Sequence, residues 1–239
     1  MQEKIGSIKI TDNLTLKSRT FYSISHIRSA ALFSMLSADV EKAFDGKYSE
    51  ELDIKQNAYV TGTVLAAVSF LEATINELFA DVYDKIPDVI NQLDQMAIHQ
   101  MSEMWKLEVP KTASFKILQK FQIALTLARK PLFDAGKSPY QDVDCLIKLR
   151  NALVHYEPEW TINISDTEKI TVQKFEKILK GKFQLNPLTG EGNSFFPDKC
   201  LGHGCAEWAV KSSIMFADEF FLRMGLKPTY DHVRSCILT

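Results

Sequence analysis

The chain has 239 residues, 46% of them hydrophobic and 24% charged, with a formal net charge of -2. That balance suits a globular protein that buries a real core, argues against disorder except at the ends, and gives no global pull toward nucleic acid. No run reaches the about 18 consecutive apolar residues of a membrane span, and Met1 to Lys9 lacks the apolar centre of a secretory signal. A cytoplasmic protein without a membrane is therefore expected.

Phe21 opens a pattern of apolar residues spaced by three and four: Ile24, Ile27, Ala31, Leu32, Met35, Leu36, Val40, Ala43 and Phe44. Such spacing lays one apolar face along a helix, and Asp45-Gly46 closes it. A longer pattern runs from about Leu52 to Tyr83, with Val60, Val64, Leu65, Val68, Leu71, Ile75, Leu78, Phe79 and Val82 on its stripe. Pro87 stops it and takes the first-turn position of a third, more polar helix predicted to run to Trp105. A fourth starts near Ser114 and ends at Ala128, before Pro131. After a loop containing Gly136, a fifth spans roughly Tyr140 to Tyr156, where Pro158 restricts Glu157 to extended conformations.

The next forty residues differ in character. Trp160, Ile162 and Ile164 alternate with polar residues as a short edge strand would. Thr171 to Lys180 reads as a small lysine-rich helix, and Asn186 to Pro197 as a loop. This stretch, about 158–198, is expected to be an insertion decorating the bundle, not a second domain. A final helix from about Gly204 to Met224 is capped by Gly225. The fold class that follows is all-α: one helical bundle over 1–239, with a small mixed insertion between its last two long helices.

Cys145, Cys200, Cys205 and Cys236 form no disulfide framework and fit a reducing compartment. Cys200, His203 and Cys205 could supply three metal ligands, but their spacing matches no common zinc pattern. A glycine-rich lead into the last helix is the preferred reading, and neither metal nor cofactor is expected.

The chemistry concentrates on the fifth helix. Its stripe is Val143, Leu146, Ile147, Leu153 and Val154, and Arg150 falls in the middle of it. A guanidinium there is costly unless it is paired or opens onto a cleft or subunit interface. Glu72 interrupts the stripe of the second helix in the same way, with Asn76 one turn on. The two helices are therefore expected to meet, as a buried Glu72–Arg150 ion pair without catalytic role or as part of a site.

His155 lies four residues after Asn151 on one helical face. Arg150 is roughly 140° around the helix from His155, a gap its long arm can close. An imidazole in the last turn, favoured as a cation by the helix dipole, suits acid–base work. An arginine beside it suits a phosphate. From Lys111 to Arg150 eight basic residues face three acids, a local +5 that reads either as a solvated helix face or as an electrostatic approach to the site.

Arg150-Asn151-x-x-x-His155, followed by Tyr156, resembles the R-N-x-x-x-H signature of the HEPN ribonuclease superfamily. Ser69 to Glu77, with Glu72 and Asn76, resembles the early acid-bearing helix of larger members. Cys205 to Val210 through Phe220-Phe221 resembles their closing helix. The similarity covers roughly residues 52 to 226. It implies an all-α homodimer with both motifs near the two-fold axis, and metal-independent RNA cleavage by 2′-hydroxyl attack that leaves a 2′,3′-cyclic phosphate. His155 would be the acid or base, Arg150 would hold the phosphate and Asn151 would orient His155 or the substrate, supported by Glu72, Asn76 and Tyr156. A role in defence or stress response, with an antitoxin or regulatory partner, also rests on the resemblance. The other expectation is a non-catalytic helical module that binds nucleotide, RNA or protein through the same face.

Overall fold

The computed structural model describes residues 9–11, 15–111, 115–157 and 174–237. Its longest element, α2 (Glu50–Tyr83), starts where the Ser49 hydroxyl accepts from the Leu52 N–H at 3.4 Å, with Glu50, Glu51 and Asp53 in the first turn. Both features suit the positive end of a helix. Val60, Val64, Ala67, Val68, Phe70, Leu71, Ile75, Leu78, Phe79 and Val82 are all buried. By length and composition α2 could cross a membrane, yet these side chains are covered by neighbouring helices, as in the central helix of a bundle.

The fold is all-α. The helix α1 (Tyr22–Ala43) packs along α2 more extensively than any other pair. Its buried face is shifted from the one expected: Ile27 and Val40 are buried as expected, but together with Ser23, Ala30, Ser34 and Ser37, whereas Leu32 and Met35 are about half exposed. Small side chains let the two helices approach, and a Cβ added to Gly62 of α2 would lie only 3.0 Å from the Phe33 ring.

The helix expected over Pro87–Trp105 is two. A turn, α3 (Pro87–Ile90), is separated from α4 (Gln95–Lys106), because Asp94 caps α4 by accepting from the Ala97 N–H at 2.8 Å. An N-cap residue cannot lie inside a helix. Next comes α5 (Ile117–Leu127), then α6 (Tyr140–Val154), a short α7 (Lys174–Leu179) within the expected insertion, and α8 (His203–Met224). Gly225 ends α8 at φ 76°, the left-handed conformation that favours glycine. A two-stranded antiparallel ribbon, β1 (Lys9–Thr11) and β2 (Thr15–Lys17), precedes the bundle with Ile10 opposite Leu16. The edge strand expected at Trp160, Ile162 and Ile164 lies outside the described residues.

Aromatic packing welds α5 to α8. The Phe121 ring meets Phe216 at 4.9 Å and Phe220 at 4.7 Å, both edge-on, and Phe133 stacks on Phe216 at 4.5 Å. The N-terminus of α8 is fixed by Glu41 of α1, which accepts from the His203 N–H at 2.6 Å and from Gln56 at 2.8 Å. Here glycine is needed for close approach: a Cβ on Gly204 would lie 2.5 Å from the Gln184 carbonyl oxygen, and one on Gly202 2.7 Å from the Asn186 Cα. At the other end of α8 the chain turns back, and Asp218 accepts two bonds from Arg234 at 2.8 Å and one from the Tyr230 hydroxyl at 2.6 Å. Burial pushes the Asp218 carboxyl up, but Arg234 and Tyr230 outweigh it and hold the group below its ordinary range.

Candidate active site

The segment that leads into α6 is pinned from two sides. Gln122 of α5 exchanges two hydrogen bonds with the Phe133 backbone, at 2.9 and 3.0 Å, and Arg223 of α8 donates to the Leu132 carbonyl at 2.6 Å. Val143, Cys145, Leu146 and Leu149 then turn α6 onto the core. Arg150, next in line, is half-buried, while Asn151 and His155 are exposed. The Arg150 Nε is closed off from solvent and has no hydrogen-bond partner among the described residues.

The helix ends one residue before the imidazole. His155 is the C-cap, at φ -112° and ψ 53°, with its N–H donating to the Asn151 carbonyl at 2.8 Å. This is the ordinary i→i−4 bond of a helix, so the backbone keeps Asn151 and His155 one turn apart up to the point where the chain leaves the helix. Tyr156 is half-exposed, and its ring centroid lies 6.1 Å from that of Phe196, which packs at 4.7 Å on Phe175 of α7. The described part of the insertion thus closes against the end of the motif. At the other end of α6, Asp142 accepts from Lys182 and from Ser138, each at 2.6 Å.

Glu72 and Asn76 are brought together, but with a different cation. Lys120 of α5 reaches across to α2, with Nζ 3.1 Å from Glu72 Oε1 and 3.5 Å from Asn76 Oδ1. No ion pair joins Glu72 to Arg150 among the described residues. The expected Glu72–Arg150 pair is corrected to Glu72–Lys120: α6 does meet α2, as expected, but the cation that reaches Glu72 comes from α5. Two cations of the basic run are compensated by acids outside it: Lys111 pairs with Glu108, and the buried Lys120 with Glu72.

The remaining candidates act as packing. Cys200 and Cys205 are both fully buried, and burial pushes both thiols up, Cys200 to about 12. The His203 Nδ1 lies 3.1 Å from the Ser34 carbonyl oxygen. Sequence reasoning passed over Lys120, and also Glu77 and Asp81 on α2. A signal for the last two was present, since Asp81 interrupts the apolar run of Leu78, Phe79 and Val82 as Glu72 interrupts its own.

Comparison with family models, with curated proteins and with solved structures finds no match to this chain. The site is therefore read from its own residues.

Proposed function

We propose that this chain is a homodimeric, HEPN-type endoribonuclease that cleaves RNA without a metal ion. The observation that carries the reading is Arg150: a half-buried cation whose Nε has neither solvent nor a hydrogen-bond partner among the described residues, next to the exposed Asn151 and five residues before the exposed His155. A cationic donor left short of a bond is costly until something completes it. A phosphodiester offers the matching acceptors to its planar fork. Val154 and Tyr156, each 51% exposed, flank His155 and give apolar surface for a second copy at a two-fold axis.

In the proposed reaction the ribose 2′-oxygen forms a bond to the adjacent phosphorus while the bond to the 5′-oxygen breaks. The 2′-proton leaves to a base, the 5′-oxygen gains a proton, and the products are a 2′,3′-cyclic phosphate and a 5′-hydroxyl. His155 transfers one of these protons, Arg150 offsets the charge that grows on the phosphate, and Asn151 orients His155 or the substrate. Glu72 and Asn76 support the site at one remove, by holding Lys120 and hence α5 against α2. The role in cytoplasmic defence or stress response, with an antitoxin or regulatory partner, belongs to the same proposal. A non-catalytic module using this face is the second reading, favoured by the exposed Val154 and Tyr156. Incubating purified protein with mixed RNA in excess EDTA, beside His155→Ala, separates the two: cleavage lost in the variant supports the nuclease, and RNA left intact by both supports the module.

A further inference from the structure

Distant in sequence from the motif, α1, the last turns of α2, α3 and the segment after α8 enclose a cavity of about 780 Å³. Its walls are largely apolar, with Phe21, Ile24, Leu78, Ile86, Phe221 and Leu226 among them. Two carboxylates of α2 also line it. Glu77 is satisfied by Ser23, whose N–H and hydroxyl donate to it at 2.9 and 2.5 Å. Asp81 is not. Its side chain is 4% exposed, and Oδ1 is shut off from solvent without a hydrogen bond. Arg19 Nη2 stands 3.0 Å from that oxygen but outside bonding geometry, so it supplies charge without a directed bond. Arg19 is also shared with Asp84. On the segment after α8, the buried Thr229 Oγ1 lines the same cavity and likewise has no partner among the described residues.

The charge balance points one way. Glu77, Asp81 and Asp84 face a single guanidinium, Arg19, and Asp88 is a third acid on the cavity wall beside Glu77 and Asp81. The basic residues on the cavity, Lys227 and His232, are exposed, so solvent screens them. Burial pushes the Asp81 carboxyl up to about 7, against the pull of Arg19, which marks a carboxylate with too little compensation. A water could fill one unmet bond but brings no charge. A volume of this size, apolar with a few convergent polar groups, is that of a small-molecule site.

We propose that this cavity binds a small organic amine, whose ammonium group donates to the unfilled acceptor of Asp81 while its apolar body lies against Leu78, Phe221 and Leu226. This site is separate from the α6 motif and does not depend on the nuclease reading. The amine must be protonated when bound, and the neutral or anionic isostere must bind worse, because neither supplies the missing donor and charge.

The test is calorimetric titration of the full chain at pH 8 with three ligands of one size: phenethylamine, 2-phenylethanol and phenylacetate. A charge-assisted bond to a buried acceptor is expected to make the amine bind at least about tenfold tighter than the alcohol, with phenylacetate weakest. In Asp81→Asn, nearly equal in shape, that preference should disappear. Equal binding of amine and alcohol, tighter binding of phenylacetate, no binding of any of the three at millimolar concentration, or an amine preference that survives in folded Asp81→Asn would overturn the proposal. The three-ligand series on the native chain decides the matter even if the variant fails to fold.

Discussion

Lys120 Nζ lies 3.1 Å from Glu72 Oε1, and the lysine side chain is 2% exposed while the glutamate is 44% exposed. The cation of this pair is thus held inside the protein by an acid that stands half in water. Asn76 Oδ1, at 3.5 Å, is a weak second acceptor. The pair ties α5 to α2 and, through Gln122 and Phe133, fixes the entry to α6.

Removing the acid should therefore hurt more than removing the pair. Glu72→Ala leaves a buried ammonium short of its counter-ion, at a cost of about 1–3 kcal/mol, less than the about 3–5 kcal/mol of a fully buried pair. Glu72→Gln with Lys120→Met, which takes both charges away, should recover much of that loss. Chemical denaturation midpoints check the order. A double variant no more stable than Glu72→Ala would show that the lysine is not strained by the loss.

Gly204 offers a test of the α8 junction. A methyl group there meets the Gln184 backbone, which cannot swing aside as a side chain would. Gly204→Ala is expected to destabilise by about 1–3 kcal/mol, the usual cost of overpacking. Thermal unfolding reads it directly, with Gly192→Ala as a control, where a Cβ meets nothing within 4 Å.

Asp81 should make stability depend on pH. Burial raises its folded value to about 7, above that of the unfolded chain, so the folded state holds the proton more tightly. Its contribution is full in acid, falls as the pH rises from about 4 to about 7, and stays lost above that. Asp81→Asn has no proton to lose. Its stability relative to the native chain should climb between pH 5 and pH 8, by up to about 3 kcal/mol. A pH-independent difference would show that the carboxyl ionises freely in the fold.

Much of the bundle was legible because burial and hydropathy agree along α2 and α8, where the three-and-four spacing of Val60, Val64, Val68 and Leu71, or of Ala206, Ala209 and Val210, names the core directly. Along α1 they disagree. Serines 23, 34 and 37 are buried because they are small and allow close helix contact, and Leu32 and Met35 are left outside, a choice that hydropathy cannot express. Lys120 looked like a surface base, since its partner sits 48 residues earlier. At the site, the residue set of α6 was readable from Arg150 inside an apolar stripe. The end of the helix at Val154, which sets the position of His155, depends on a cap that local spacing did not reveal.

Arg150 can be tested for stability as well as activity. Its buried Nε makes no hydrogen bond among the described residues, so Arg150→Met should leave folding unchanged or improve it slightly while abolishing RNA cleavage. A marked drop in melting temperature would show that the guanidinium is a structural tie.

The most direct measurement of the central claim is single-turnover cleavage, in excess EDTA, of an RNA that the native chain cuts, beside the same strand carrying 2′-deoxyribose at the scissile position, for native and His155→Ala protein. The exposed His155 should be removable without loss of fold, and cleavage should fall by about 10²–10⁴-fold. The native product should end in a 2′,3′-cyclic phosphate and the deoxy strand should survive. Cleavage of the deoxy strand, or full activity in His155→Ala, would contradict the assignment.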